Sequence, residues 1–192
     1  MPSRKPGRRQ PPDPYLYRRA WSANTRDAAS KRIRTVLDEA SGLIPVAEAM
    51  GEAFLDIMVA SAVSISLLDE DGYRDLVNVG KLGQGEVRFP NERYPISLYP
   101  AAAARLLARQ GYISADGTLD LDADHPHLSA WAGVGCFMGV PIVAGAEVRG
   151  EVLMVRGKNN PVFSAEDLEV AGDLATQFGA RLPELLNTEP PP

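Results

Sequence analysis

The sequence predicts an α+β domain in which an antiparallel sheet carries helices on one face. Between Val134 and Val155, two strongly apolar runs flank a short glycine-containing link, which is typical of a buried antiparallel hairpin. Residues 62–80 contain a second pair of strand-like segments around the turn sequence Asp69-Glu70-Asp71-Gly72. Amphipathic helical spacing precedes and follows these strands, so sheet and helices can bury their apolar sides against each other.

The N-terminal part of this domain predicts two helices. From Thr25 onward, apolar residues recur at helical spacing up to Ala40, and a second helix is predicted over about Pro45–Met58. The apolar stripe of the second helix is typical either of core packing or of a dimer seam shared with the C-terminal helix. One stripe alone does not distinguish these alternatives.

The first hairpin is predicted to have two different faces. Val63, Ile65 and Leu67 alternate with Ser64 and Ser66 in its first strand. In its second strand, over 74–80, the valines are expected to face the helices, while Leu76, Asn78 and Gly80 face the other way. This second face carries hydroxyl and amide groups and leaves room, as a small polar ligand requires. The alternative is a face that simply meets water.

A long irregular stretch, 81–131, follows this hairpin and is rich in proline. It contains a predicted short helix over Ala101–Gln110, ended by Gly111 at the C′ position, and a short strand at Tyr112–Ser114. Irregular excursions of this length are typical of binding loops. We therefore expect a ligand to lie beneath the cover formed by Phe89–Tyr112. The predicted ligand-binding residues are Ser64, Ser66, Asn78, Tyr94, Ser97, Tyr99, Tyr112, Cys136 and Met138.

The last helix is predicted over Ser164–Leu186. Ser164 suits the N-cap position, and Asp167 stands three residues later, as in a capping box. Its apolar stripe is interrupted near Gly179 and Pro183.

The 192 residues suit one domain, predicted over 25–186, between a basic proline-rich disordered tail (1–24) and a short proline-rich tail (187–192). Residues 1–34 carry ten Lys or Arg against two Asp, a local charge of +8, so the remainder carries −13. A solvated tail accounts for this charge, and contact with nucleic acid is the less favoured alternative. Tyr15, Leu16, Tyr17 and Trp21 suit docking of this segment on the protein's own surface or on a partner, and the protein's own surface is favoured.

Several function classes are disfavoured by the composition. Cys136 is the single cysteine, so neither an intramolecular disulfide nor a multi-cysteine zinc site can form. No apolar run is long enough to cross a membrane, and no signal-peptide pattern is present, so we expect a cytoplasmic protein without membrane contact. The sequence contains no P-loop, H-E-x-x-H or G-x-S-x-G motif, and we expect no enzymatic activity.

Four segments together resemble a GAF domain, over about residues 45–183. They are Ser64–Gly72, Phe137–Ile142, Glu147–Val152 and Phe163–Leu168. The resemblance implies a six-stranded antiparallel sheet with terminal helices packed on one face, often dimerising, and a ligand enclosed on the other. It also implies a sensing role without catalysis. Family ligands range from cyclic nucleotides to tetrapyrroles and haem, and the identity of any ligand or cofactor here stays unknown.

The resemblance therefore predicts a standalone sensor, forming a homodimer, that passes its signal to a downstream protein. Two alternatives stay open. One is a scaffold with a degenerate, closed pocket that acts through protein–protein contacts. The other is a haem or redox sensor using His125 or Cys136. A thiol-dependent sulfoxide reductase is disfavoured, because its cycle needs a second, resolving cysteine.

Overall fold

A computed structural model of the chain describes residues 21–70, 72–81, 93–116 and 134–187. Within these ranges six strands form one antiparallel sheet in the order β3-β2-β1-β6-β5-β4, which confirms the predicted α+β architecture. The strands are β1 (Ala62–Asp69), β2 (Gly72–Gly80), β3 (Arg93–Tyr94), β4 (Tyr112–Ser114), β5 (Val134–Ala144) and β6 (Glu147–Gly157). The helices are α1 (Ala23–Glu39), α2 (Leu43–Ile57), α3 (Pro100–Leu107) and α4 (Ala165–Asn187), with a 3-10 turn at Ile96–Leu98.

The predicted central hairpin is formed by β5 and β6. Ala144 pairs with Glu147, so the link contains two residues, and Gly145 at its first position has φ +61°. A two-residue hairpin link needs a positive φ there, which glycine adopts without steric cost. Because β6 also pairs with β1, the two predicted hairpins lie side by side in one sheet.

Three helices cover one face of the sheet, called here the helix face. α2 packs on β1 and β2, α4 packs on β5, and α1 lies outside them against both helices. The apolar stripes of α2 and α4 are buried within a single chain, so core packing accounts for them. The largest fully buried side chains of this core include Phe54, Phe178, Ile33, Met50, Ile65, Met138, Ile142 and Met154.

α4 runs through Gly179 and Pro183, which confirms the predicted helix over Ser164–Leu186. Its buried side also continues through Gly179 and Leu182, so the expected interruption of the apolar stripe is wrong. A Cβ atom at Gly179 would collide with the backbone of Val143 in β5, and glycine therefore allows the helix to lie close to the strand. The predicted capping box is confirmed. The Asp167 amide donates to Ser164 Oγ at 3.1 Å, and the Ser164 amide donates to Asp167 Oδ2 at 2.9 Å.

The folded domain begins earlier than predicted. Ser22 caps α1, since its Oγ accepts a hydrogen bond from the Thr25 amide at 3.2 Å, and Trp21 belongs to the core. Residues 21–24 were assigned to the disordered tail, and that boundary is corrected. Trp21 docks on the body as expected, whereas Tyr15–Tyr17 lie outside the described residues.

Both α2 and α3 end in a Schellman motif whose left-handed residue is not glycine. In α3 this residue is Arg109, with φ +58°, and the Gln110 amide donates to the Arg105 carbonyl at 2.8 Å. The assignment of Gly111 to the C′ position is therefore wrong. In α2 the equivalent residue is Val59, with φ +50°, and the Ala60 amide donates to the Leu55 carbonyl at 2.9 Å.

Candidate ligand-binding site

The sheet face opposite α1, α2 and α4, called here the second face, carries a buried carboxylate with three donors around it. Asp75 is 1% exposed. It accepts hydrogen bonds from Ser66 Oγ at 2.5 Å, from Asn78 Nδ2 at 3.3 Å and from Ser64 Oγ at 3.5 Å. Buried carboxylates require such donors, because leaving water costs them hydration. The Asn78 Oδ1 atom is buried and has no hydrogen-bond partner among the described residues.

A second buried carboxylate belongs to Glu151 on β6. The Tyr112 hydroxyl donates to Glu151 Oε1 at 2.6 Å, across Gly139 of the intervening strand. A Cβ atom at position 139 would overlap both the tyrosine ring and the carboxylate, so glycine leaves room for this pair. The Tyr112 ring also meets Phe137 edge-on, with centroids 6.1 Å apart.

The two carboxylates flank one hydroxyl at the same level of the sheet. Ser66 lies opposite Asp75 in the β1–β2 register and opposite Glu151 in the β1–β6 register. Since neighbouring strands lie about 4.8 Å apart, the backbones of Asp75 and Glu151 are about 10 Å apart. We call Asp75, Ser66 and Glu151 the polar row; with Ser64 and Tyr112 beside it, the second face offers several hydrogen-bonding groups to a small molecule.

Aromatic side chains and the short helix α3 cover this face. Tyr73 and Tyr94 are a cross-strand pair of β2 and β3. They belong to a separate apolar cluster with residues of α3 and of the strands beneath it. The buried members are Ala62, Tyr73, Tyr94, Ala102, Leu106, Tyr112, Val134, Phe137, Leu153 and Val155.

The structure brings together four of the nine predicted site residues, Ser64, Ser66, Tyr94 and Tyr112, all buried on the second face. Tyr99 packs against the apolar cluster of the second face. Asn78 joins the polar groups of this face, since its Nδ2 donates to Asp75 Oδ2. Ser97 is exposed in the 3-10 turn and contributes nothing to this buried set. The part of the expected cover over 89–92, and His125, lie outside the described residues.

Two predicted site residues lie on the opposite face. Cys136 and Met138 belong to the core between sheet and helices, whereas Phe137, between them in β5, belongs to the second-face cluster. Successive residues of a strand point to opposite faces, so these two side chains are separated from Ser64 and Ser66 by the sheet itself. Their grouping with the second-face residues is thus corrected.

The predicted orientation of Leu76 is also wrong. The β1–β2 register shifts between Ile65 and Ser66, so that Ile65 pairs with Val77 and Ser66 with Asp75. The extra residue, Leu76, joins Val77 in the helix-face core. The same bulge places Asp75 on the second face.

Sequence reasoning missed both carboxylates of the polar row. Glu151 has a readable signal, because it is a single carboxylate inside an apolar strand and shares its face with Leu153 and Val155. Asp75 has no comparable signal in the sequence, since the bulge in the β1–β2 register decides which face of the sheet its side chain occupies.

A second buried polar cluster was also missed. It lies around Arg156, which is near the C-terminal end of β6 and on the helix face of the sheet. Its guanidinium donates to the carbonyls of Met58 at 2.6 Å, Pro161 at 3.2 Å and Val59 at 3.3 Å. It lies 3.9 Å from the centre of the Phe163 ring. Its NH1 is also 3.6 Å from Asp167 Oδ2. Burial lowers the pKa of Arg156, and the Asp167 carboxylate opposes that shift.

The Cys136 thiol is not an activated group. It is buried, and its sulfur lies 3.9 Å from the Pro161 carbonyl oxygen. Burial raises the pKa of this thiol, while the Phe163 backbone and Arg156 act in the opposite direction. Among the described residues no three His, Cys, Asp or Glu side chains are grouped as a metal ion would require. None of the helices in these ranges has the length and apolar character needed to cross a membrane.

Comparison with known families gives a match that spans most of the chain. The family model described as a GAF domain matches residues 41–182. A search among curated proteins gave no match.

Solved structures show the same fold at low sequence identity. A far-red-absorbing protein with bound biliverdin IXα is 14% identical, with TM-score 0.67, over 82% of this chain and 99% of that one. The GAF domain of a phosphoenolpyruvate-protein phosphotransferase from Coxiella burnetii is 16% identical, with TM-score 0.66, over 87% and 98%. The chromophore-binding domain of a bacteriophytochrome from R. palustris is 16% identical, with TM-score 0.68, over 90% and 65%.

Proposed function

The chain belongs to the GAF domain family, and on that premise we propose that it is a non-catalytic module that senses a small molecule on the second face of its sheet. The observation that carries this proposal is the polar row of Asp75, Ser66 and Glu151, buried beneath α3 and the tyrosines. The structural neighbour that holds biliverdin supports it, since a protein of this fold binds a small molecule.

The energetics of burial favour a binding role for the polar row. Ionised carboxylates lose several kcal/mol of hydration in a protein interior, and apolar residues of similar size are often as stabilising or more so. A face that served only as a core would therefore be built from apolar side chains. Asp75 and Glu151 make sense where a ligand needs oriented acceptors.

Strand β6 offers a route from ligand to helices. Glu151 faces the polar row, and Arg156, five residues further along β6, contacts the end of α2 and the start of α4. A ligand that shifts β6 would change the contacts of both helix ends. Binding would then select among arrangements of the helices, by the general mechanism of population shift.

A homodimer and a downstream protein partner belong to the same proposal. Because the apolar stripes of α2 and α4 are buried within one chain, a dimer would use the exposed, polar sides of α1 and α4. The signal would pass to another protein in the cytoplasm. Nucleic acid contact through the basic N-terminal residues is the weaker alternative.

One observation favours the closed scaffold as a second candidate function. The Ser66–Asp75 and Tyr112–Glu151 hydrogen bonds, at 2.5 and 2.6 Å, are both made within the chain. If these pairs never open, the domain binds no small molecule and acts only through protein contacts.

Native mass spectrometry of the full chain reports the oligomeric state and any co-purified small molecule, and thermal unfolding reports stabilisation by added ligands. For a sensor, we expect either a co-purified small molecule in the mass spectrum or a rise in melting temperature with the small-molecule fraction of a cell extract. Ser66→Leu should remove this effect, while Ser97→Leu, at an exposed position, should keep it. A bare chain mass without any stabilisation would support the closed scaffold, and circular dichroism verifies that both variants fold.

A further inference from the structure

We propose that Val59 and Val162 form a docking site for this chain's own Tyr15–Tyr17 segment. We call these two valines the valine pair. They are exposed by 42% and 47%, and they are two of the four large hydrophobic side chains exposed among the described residues. The proposal makes the N-terminal residues an internal ligand of the domain, at the end where α2 stops and α4 starts.

Trp21 fixes the direction from which the preceding chain arrives. Its indole is buried, and its Nε1 donates to Asp167 Oδ1 in the first turn of α4 at 2.7 Å. Twenty residues precede Trp21 in the sequence. Trp21 therefore tethers that part of the chain at a point beside Asp167.

The valine pair lies around the same ionic cluster. Asp167 is 3.6 Å from the Arg156 guanidinium, which donates to the carbonyl of Val59 at 3.3 Å and to that of Pro161, next to Val162, at 3.2 Å. One guanidinium thus ties both valine segments to the carboxylate that holds Trp21. Tyr17 is four residues from Trp21, and an extended chain of that length reaches about 14 Å. This reach is longer than each of the contacts that join Asp167 to Arg156 and Arg156 to the carbonyls of Val59 and Pro161.

The backbone conformation of Val59 indicates that its side chain has a function. A β-branched residue with a positive φ is a strained outlier, and glycine or asparagine ends a helix there at lower cost. Strain of this kind is found mainly where a side chain serves a function. Because the Val59 side chain is exposed, packing within the described residues does not account for it.

Charge agrees with this placement. Arg18 and Arg19 stand between Tyr17 and Trp21, and the first turn of α4 contains Glu166 and Asp167. Glu166 is exposed, so it can pair with either arginine once Trp21 is seated. Acidic side chains in the first turn of a helix are favourable in their own right, so this charge is available without loss to α4.

Limited trypsin digestion of the full chain tests the proposal, since the cleavage sites after Arg18 and Arg19 lie between the docked Tyr15–Tyr17 segment and the buried Trp21. We expect Val59→Asp combined with Val162→Asp to raise cleavage there about tenfold, with cleavage after Arg8 and Arg9 unchanged. Leu107→Asp, an exposed leucine on α3 at the second face, is the matched control and should leave both rates unchanged.

A second variant guards against misfolding of the first. Tyr15→Ser, Leu16→Ser and Tyr17→Ser together leave the described core intact and should raise cleavage after Arg18 and Arg19 by a similar factor. Rates are normalised to the same chain unfolded in urea, which corrects for trypsin's own preferences. Unchanged cleavage in both variants would overturn the proposal. A loss of dimer in sedimentation with unchanged cleavage would instead assign the valine pair to a second copy, and would overturn it equally.

Discussion

The two faces of the sheet differ in what their buried side chains do. On the helix face, Val63, Ile65 and Leu67 of β1 pack against α2 in an apolar core. On the second face, Ser64 and Ser66 of the same strand meet the carboxylate of Asp75. One strand thus supplies stability on one side and hydrogen-bonding groups on the other.

Both faces hold buried charge, and the comparison shows which charge the fold itself requires. Arg156 and Asp167 satisfy backbone groups at the end of α2 and the start of α4. Helix ends leave such groups without intrahelical partners, so this charge has a structural role. The carboxylate of Asp75 is instead surrounded by side-chain donors of β1 and β2.

The largest difference between the faces should come from removing a buried aromatic ring. Phe178→Ala empties the centre of the helix-face core and should lower the free energy of unfolding by about 5 kcal/mol. Phe137→Ala, on the second face, should lower it by about 3 kcal/mol, because the thinner cover can relax into the space. Urea unfolding measures both, and equal losses would show that the second face is packed as firmly as the first.

Arg156→Leu tests whether the ionic cluster of the helix face is structural. It removes the guanidinium hydrogen bonds to the carbonyls of Met58, Val59 and Pro161, and it takes from Asp167 its positive neighbour. We expect the free energy of unfolding to fall by about 3 kcal/mol. Arg149→Leu breaks the exposed pair with Glu147 and should change it by less than about 0.5 kcal/mol. Similar losses in both variants would contradict this role.

Two serines of the second face offer a matched pair for the polar row. Ser66→Ala removes the 2.5 Å hydrogen bond to Asp75 and should lower the free energy of unfolding by about 2 kcal/mol. Ser64→Ala removes a contact of 3.5 Å and should lower it by less than half of that. If the two losses prove equal, Asp75 does not depend chiefly on Ser66.

The smallest expected effect concerns pH and Cys136. Because burial raises the pKa of this thiol in the folded chain, folding favours its protonated form. The resulting stabilisation is complete below the ordinary thiol pKa of about 8.5 and is lost as pH rises through the folded value. The urea midpoint should therefore fall between pH 7.5 and pH 10 slightly more in the native chain than in Cys136→Ala. Parallel curves for the two chains would show that the thiol does not ionise differently on folding.

Much of the architecture could be predicted from local patterns. Alternation in β1, the glycine link between β5 and β6, and the Ser164–Asp167 capping box each report on neighbours within a few residues, and the structure contains all three. The candidate site was only half predictable. Ser64, Ser66, Tyr94 and Tyr112 follow from strand alternation and from the irregular stretch that must cover them.

The errors arise where contacts join distant parts of the chain. Cys136 and Met138 were grouped with the second-face residues, because a strand apolar at every position shows no alternation to orient it. Gly179 was read as an interruption of the apolar stripe of α4, although the approach of β5 is what makes glycine necessary there. In each case the deciding neighbour is remote in sequence.

Local sequence patterns specify the kind of fold and the order of its elements, because periodicity, turns and caps each depend on residues that stand close together along the chain. Tertiary structure alone decided where the buried charges lie. The bulge between β1 and β2 placed Asp75 beside Ser66, and the packing of α1 against α4 placed Trp21 beside Asp167. Register and packing depend on the whole sheet and the whole helix layer, so no single stretch of sequence encodes them.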